Sequence, residues 1–244
     1  KLSYEAILGW LKTYGDIFKP FICDTSLYLD NAMKEGKRVM LEAQLGALRD
    51  IDFGIYPYTS SSSTIAAYGP IGAGIPGVKL DYVLGIMKAY STCVGEGPFT
   101  AEWFGAEAEE LRAAGGEYGA ATGRPRRVGP IDIVATRYGV EVQAATEIAL
   151  TKLDVLSYMD KIPVCTQYIL AGETTDEFPF PSALKKAEPQ IEYFEGWKCD
   201  ISKIRTWNDL PKAAKDYVIY IEKAIGCPIK YVSVGPERDS IIIR

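Results

Sequence analysis

The sequence predicts an α/β fold with a largely parallel central sheet and flanking helices. Two observations carry this expectation. Short apolar runs of strand length alternate with stretches of helical period along most of the chain. The composition is that of an ordinary soluble globular protein, 48% hydrophobic and 24% charged, and 244 residues can bury one large core, so a single domain over 1–244 is expected.

The elements follow in order. Residues 3–15 read as an amphipathic helix with Tyr4, Ile7, Leu8, Leu11 and Tyr14 on one face. A second helix starts at the capping cluster Asp24-Thr25-Ser26 and stops at Gly36. Val39-Met40-Leu41 reads as a buried strand. Residues 43–77 form a small-residue stretch with four consecutive serines, Ser60 to Ser63, too long for an ordinary loop. Residues 81–94 are mostly apolar and read as strand or buried helix, and 115–130 as a Gly/Arg-rich loop. Residues 131–145 look helical, and 147–150 and 163–171 look like strands. Pro179, Pro181 and Pro189 mark an irregular stretch. A helix over 210–225 has Pro211 near its first turn and Gly226 at its end. Residues 229–234 and 241–243 read as closing strands.

Charge and composition exclude several function classes. The 27 basic and 32 acidic residues leave a formal charge of −5, which argues against nucleic acid or an anionic membrane face as the main partner. No apolar run approaches the roughly 20 residues of a membrane helix. There is no histidine, so His-dependent triads and His-ligated zinc cannot be built from these residues. Five scattered cysteines without a CxxC pair suit a reduced, cytoplasmic protein. The chain begins at Lys1 rather than Met, so a processed start or a piece of a longer protein is expected.

Four segments could carry chemistry. Thr151-Lys152-Leu153-Asp154 follows the apolar strand 148–150, where α/β sheets bind ligands. One carboxylate can accept both N1–H and the exocyclic amine of guanine, and adenine lacks that donor pair. The stem of Lys152 can lie along a base. A solvated Lys–Asp surface turn is the plain alternative. In Gly119-Ala120-Ala121-Thr122-Gly123-Arg124-Pro125-Arg126-Arg127, glycines admit close approach and guanidinium forks suit carboxylate or phosphate, with surface salt bridges as the alternative. The hydroxyls of Thr59 to Thr64 suit phosphate oxygens or simply a polar turn. Ser233-Val234-Gly235-Pro236-Glu237-Arg238 is a loop after a strand.

Taken together and in this order, these segments resemble the adenylosuccinate synthetase family. The stretch from Asp50-Ile51-Asp52-Phe53-Gly54 through Tyr56-Pro57-Tyr58 to Ser60-Ser61-Ser62 resembles its purine-monophosphate loop. Asp81 to Lys88, Ala89-Tyr90-Ser91-Thr92, Val94-Gly95 and Gly97-Pro98-Phe99 resemble its next run. The resemblance implies a P-loop-NTPase-like fold lacking its N-terminal part. It also implies a GTP-dependent ligase that joins IMP and L-aspartate through a 6-phosphoryl intermediate, with Mg²⁺ as cofactor and a homodimer as the complete protein.

By position, Ala120, Ala121, Thr122, Gly123, Arg124 and Arg126 would hold aspartate. Arg126, Lys152, Leu153, Asp154, Ser233, Val234 and Gly235 would hold GTP. Ser60, Val94, Arg124 and Gln44 would hold IMP. The family's Glu-Gly-Ala-Gln-Gly reads here as Glu42-Ala43-Gln44-Leu45-Gly46, which moves the glutamine one place. Ser63 stands for a family asparagine and Ala121 for a threonine. The phosphate loop, its catalytic aspartate, the histidine and the Mg²⁺ ligands belong to a region preceding these motifs, so no catalytic residue is expected in this segment and the segment alone is expected to be inactive. A non-catalytic guanine-nucleotide-binding module is the alternative.

Overall fold

The computed structural model describes residues 2–120 and 123–244, and the chain divides into two compact units, 1–42 with 67–79, and 43–66 with 80–244. The first unit carries α1 (Tyr4–Phe18), α2 (Thr25–Lys34) and α3 (Tyr68–Gly72). Ser3 caps α1 by accepting from Ala6 N–H, and Asp24 caps α2 by accepting from Leu27 N–H, each satisfying a donor the helix cannot. Val39-Met40-Leu41 forms no strand: Met40 is exposed, and no neighbouring strand takes up its backbone groups among the described residues. Three apolar residues without a ladder partner do not make a strand.

The second unit runs β1 (Leu84–Lys88), β2 (Ser91–Cys93), α4 (Gly105–Gly115), β3 (Arg127–Gly129), β4 (Ile131–Asp132), α5 (Ile133–Gln143), β5 (Glu147–Thr151) and β6 (Lys161–Leu170). It continues with β7 (Glu173–Thr175), α6 (Pro181–Leu184), β8 (Glu188–Glu195), α7 (Lys212–Ile225), β9 (Ile229–Ser233) and β10 (Ile241–Ile243). The central sheet has the order β1-β5-β9-β10, with β1, β5 and β9 parallel and β10 antiparallel. A mixed sheet builds on β6, which pairs parallel with β4 and antiparallel with β7 and β8. β2 and β3 form a small antiparallel ribbon.

The core explains the arrangement. α7 buries Ala214, Tyr217, Val218, Ile221 and Ile225, a stripe at helical spacing, in one cluster with Leu150, Ile229 and Val232 of the sheet. Each such aliphatic side chain contributes about 1.5–3 kcal/mol on burial. Gly226 ends α7 at φ +68, a left-handed conformation that glycine adopts without strain.

Three further differences from the sequence reading have simple causes. Residues 188–195 are a strand despite Pro189, which pairs with Tyr168 on the outer strand β8, where a missing N–H costs no ladder bond. The short helix α6 starts with Pro181 in its first turn, so prolines in this stretch punctuate structure rather than exclude it. α4 has no counterpart in the sequence reading, because its buried face is Ala108, Leu111 and Gly115, mostly small residues with a weak apolar period.

Candidate functional site

Because β1, β5 and β9 are parallel, Lys88, Thr151 and Ser233 end their strands at the same sheet edge, where open α/β sheets present their ligand loops. Ala89 N–H donates to Thr151 O (2.8 Å) and Thr151 Oγ1 to Met87 O (2.9 Å), which joins the first two strand ends. Lys152 then turns the chain at φ +60, a left-handed conformation unusual for a side-chain-bearing residue, and opens the 3-10 turn Leu153–Tyr158. Leu153 is buried in the core and pins the turn between Lys152 and Asp154.

Asp154 is half-buried, and burial raises its pKa against the pull of its own N–H and of Lys152; Asp200 adds to the rise. Among the described residues no other residue hydrogen-bonds its carboxylate, which leaves an acceptor pair at the strand ends. In the third loop Ser233 Oγ donates to Gly235 O (2.8 Å), and buried Val234 donates its N–H to Ser240 O (2.9 Å). A Cβ at Gly235 would meet Ser240 Oγ at 3.1 Å, so glycine allows the loop to fold against Ser240.

The centre of the site is a residue the sequence reading missed. Glu117 is fully buried, and its carboxylate takes Lys88 Nζ (2.7 Å), Lys152 Nζ (3.1 Å) and Arg126 Nη1 (2.8 Å), with Tyr90 Oη donating at 2.6 Å. Burial alone would raise its pKa, but hydrogen bonds from Lys88 and Tyr90, the Lys88 charge and the Lys152 bond hold it at about 2. Burial lowers the pKa of Lys88, with Glu117 opposing. Lys152 Nζ also donates to Gly115 O (2.5 Å). Gly115 is required there: a Cβ would sit 2.3 Å from Tyr90 Oη. Arg126 Nε is buried without an acceptor. One signal was available in the sequence: Glu117 is the only acidic residue between Leu111 and Ile131, in a segment with four arginines.

Glu117 also stands at the neck of the Arg-rich hairpin. Arg126 N–H donates to Glu117 O (2.9 Å), Tyr118 bridges Pro125, and Gly119 N–H donates to Arg124 O (2.8 Å). Gly123, at φ +64, closes back on Gly119 O at 2.8 Å. Ala120 and Arg124 are exposed at the tip, and the two residues between Ala120 and Gly123, Ala121 and Thr122, lie outside the described residues. Arg127 points to other work: it pairs with Glu102 through Nε (2.8 Å) and Nη2 (2.5 Å), and donates to Gly95 O and Gly97 O. It holds the loop after β2 rather than joining Arg124 and Arg126.

Of the remaining site candidates, Ser60 and Val94 are brought together by Arg49, which the sequence reading did not single out. Its guanidinium donates to Tyr58 O (2.5 Å), Glu96 O (2.9 Å), Cys93 Sγ (2.7 Å) and Val94 O (3.1 Å), while Ser60 N–H donates to Arg49 O (2.8 Å). Cys93 and Arg127 are the last pair of the β2–β3 ribbon, so Val94 leaves the ribbon at the end where Arg126 enters it. Asp50 is buried and structural. Burial pushes its pKa up, but N–H groups of Phe53, Thr64 and Asp52 and the Ser63 hydroxyl hold it at about 2. Gln44 is exposed, with Leu45 after it at φ +83, and shares no hydrogen bond with Ser60 or Val94 among the described residues. Nor does any group of three or more His, Cys, Asp or Glu among the described residues suit a metal ion, and no described helix is long and apolar enough to cross a membrane.

Comparison with known proteins points to one family. The family model described as adenylosuccinate synthetase matches residues 1–242. The adenylosuccinate synthetase of Salinibacter ruber is 48% identical over 242 residues, covering 99% of this chain and 55% of that protein. The one from Caldanaerobacter subterraneus is 44% identical over 242 residues, covering 99% of this chain and 56% of that protein. The chain thus spans little more than half the length of the curated relatives it matches. Among solved structures, fully ligated adenylosuccinate synthetase from Plasmodium falciparum superposes with a TM-score of 0.95 at 36% identity, covering 100% of this chain and 59% of that one. A cyanophage S-2L succinoaminodeoxyadenylate synthetase, at 18% identity and TM-score 0.52, shares the fold over 91% of this chain and 50% of that one.

Proposed function

The chain belongs to the adenylosuccinate synthetase family, and from that premise we propose that it contributes the guanine, aspartate and part of the IMP subsites of a GTP-dependent ligase. In the reaction, IMP gives up its N1 proton, its 6-oxygen takes the γ-phosphoryl group of GTP, and GDP leaves. The aspartate amine then attacks C6, inorganic phosphate departs, and the nitrogen loses a proton to give adenylosuccinate.

The observation that carries this reading is the shared strand edge. The half-buried Asp154 carboxylate stands there beside Lys152 and the Ser233–Gly235 loop. Asp154 accepts guanine N1–H and the exocyclic amine, and Lys152 covers the base with its stem. Leu153, Ser233, Val234 and Gly235 complete the base pocket. Arg126 meets Glu117 through Nη1 and stays one-third exposed, and its outward face meets phosphate or aspartate. Ala120 to Arg124 form the aspartate loop, with Arg124 the carboxylate clamp, and Ser60, Val94, Gln44 and Arg124 contact IMP.

Mg²⁺ serves the phosphoryl transfer in this reading. None of the described carboxylates takes that role: Glu117 is buried and held by three cations, and Asp154 is assigned to the base. The proton-transfer groups likewise lie outside this set, so Lys1–Arg244 alone binds but does not turn over. In the complete protein the assembly is a homodimer, and the unpaired cysteines support a cytoplasmic setting.

The test supplies the complete protein with GTP, IMP, L-aspartate and Mg²⁺ and follows adenylosuccinate by absorbance. Product must appear only when all three substrates are present. Turnover with ATP equal to that with GTP would remove the guanine assignment, and absence of product would remove the ligase assignment.

A further inference from the structure

We infer that Glu117 is a positioning residue that links the guanine loop to the hairpin carrying the aspartate- and phosphate-binding arginines, so that the two subsites are built on one carboxylate; the inference rests on the ligand reading above. Glu117 itself faces no ligand: it is fully buried, below the strand edge. Its Oε1 takes Lys152, on the guanine loop, and its Oε2 takes Arg126, on the hairpin. Its main-chain carbonyl accepts from Arg126 N–H at 2.9 Å, so the same residue fixes both the side chain and the backbone of Arg126. The remaining contacts, Lys88 at 2.7 Å and Tyr90 at 2.6 Å, come from β1 and the residues just after it, and hold the carboxylate on the sheet.

Two features separate this arrangement from an ordinary buried salt bridge. First, three cations share Glu117, and Asp154 beside Lys152 is the next carboxylate, which leaves a surplus of one positive charge with both carboxylates ionised. The carboxylate is fully buried while Lys88, Arg126 and Lys152 keep 24%, 32% and 36% of their side-chain surface exposed, so the surplus faces outward rather than into the core. A surplus aimed at a loop cluster is tolerable where an anion completes it. Second, Lys152 and Arg126 are not used up by Glu117: Lys152 also reaches Gly115 O, while Arg126 meets Glu117 through Nη1 and stays one-third exposed. Each cation can therefore be oriented by Glu117 and still meet a ligand, as buried carboxylates orient groups that touch substrate elsewhere.

The prediction is joint. In the complete protein, Glu117→Gln keeps the side-chain volume but removes the charge, and its amide nitrogen can only donate, toward three cations that also only donate; of the four partners only the Tyr90 hydroxyl can turn to accept. Both the GTP dissociation constant and the aspartate KM should rise, each by about tenfold or more, the loss of one charge-assisted hydrogen bond. Glu117→Asp, which restores the charge at shorter reach, should recover part of both constants. In a double-mutant cycle on GTP binding, Lys152→Met should cost much less in the Glu117→Gln background than in wild type, because its orientation is already lost.

A folded Glu117→Gln protein with both constants within twofold of wild type, or with only one of them changed, would overturn the inference. If Glu117→Gln does not fold, Tyr90→Phe decides instead. It deletes only the hydroxyl donor to the carboxylate, and a rise of a few-fold in both constants supports the link while a change in neither removes it. Asp154→Asn separates the two levels. If it leaves GTP binding unchanged, the ligand reading has failed; if it weakens GTP while Glu117→Gln changes neither constant, only the positioning role has failed.

Discussion

Replacing Asp154 by asparagine tests the base-recognition chemistry most directly. The carboxylate is half-buried and has no hydrogen-bond partner on another described residue, so only its own N–H competes with a ligand for its two oxygens. Guanine would donate N1–H to one and the exocyclic amine to the other. Asparagine keeps one acceptor but sets an NH₂ against the guanine amine, donor facing donor. A hydrogen bond to a charged acceptor is worth about 1.5–3 kcal/mol, and the partial exposure of Asp154 favours the lower part of that range.

Adding the mismatched donor gives a loss of about 2–3 kcal/mol, or about 30- to 140-fold in the GTP dissociation constant. The same substitution should improve binding of xanthosine triphosphate, whose C2 carries a carbonyl oxygen where guanine has the amine, because the asparagine NH₂ then meets an acceptor. Calorimetric titration of wild type and Asp154→Asn with GTP, xanthosine triphosphate and ATP reads all three affinities. Unchanged GTP affinity, or equal weakening of GTP and xanthosine triphosphate, would refute base readout by this residue.

Arg124→Leu should raise the aspartate KM by about tenfold or more and leave the GTP constant nearly unchanged, since a leucine cannot replace a guanidinium fork on a carboxylate; equal aspartate KM values would remove the clamp assignment. Lys1–Arg244 expressed alone with GTP, IMP, aspartate and Mg²⁺ should form no measurable adenylosuccinate, several orders of magnitude below a complete relative, and comparable turnover would show that the chemistry resides in this segment. Asp132 is fully buried at the N-cap of α5, where burial pushes its pKa up to about 6 against hydrogen bonds from Ala135 N–H and Tyr168 Oη and the backbone of Val134. A raised carboxylate pKa favours the folded state at low pH, and the stability falls as pH rises from the unfolded carboxylate value toward about 6. Between pH 5 and pH 8 wild type should therefore lose about 1–1.5 kcal/mol relative to Asp132→Asn, or about 2–6 °C in the melting-temperature gap; a gap independent of pH would show that Asp132 titrates normally.

The parts of this protein legible from sequence are those in which one residue's chemistry and one local pattern suffice. α7 announces itself through an apolar stripe, Pro211 before it and Gly226 after it. The Lys152–Asp154 turn is legible because a β-run ends in a carboxylate, and the structure sets it at the carboxyl edge of parallel strands. What stayed hidden depends on residues far apart in sequence. Glu117 reads as a charged loop residue until Lys88, Arg126 and Lys152, from three different segments, close on it. Arg49 reads as one more surface arginine until its guanidinium spans the loops around Tyr58 and Val94. Val39-Met40-Leu41 failed in the other direction, because an apolar triplet says nothing about whether a neighbouring strand exists to pair with it.

The left-handed turn at Lys152 bears on how this protein could be engineered. A lysine at φ +60 costs about 1 kcal/mol or more that asparagine or glycine at the same position would largely avoid. The ammonium it carries also crowds Lys88 and Arg126 around a single carboxylate. Lys152→Asn would relieve the backbone and part of that repulsion, and would give up the Lys152 contacts to Glu117 and Gly115 O. Where the backbone relief outweighs those two contacts, a library sorted only on heat resistance discards this lysine, and the winners trade nucleotide capture for a calmer fold. Any directed-evolution campaign on this scaffold needs a binding or turnover filter at residue 152 from its first round.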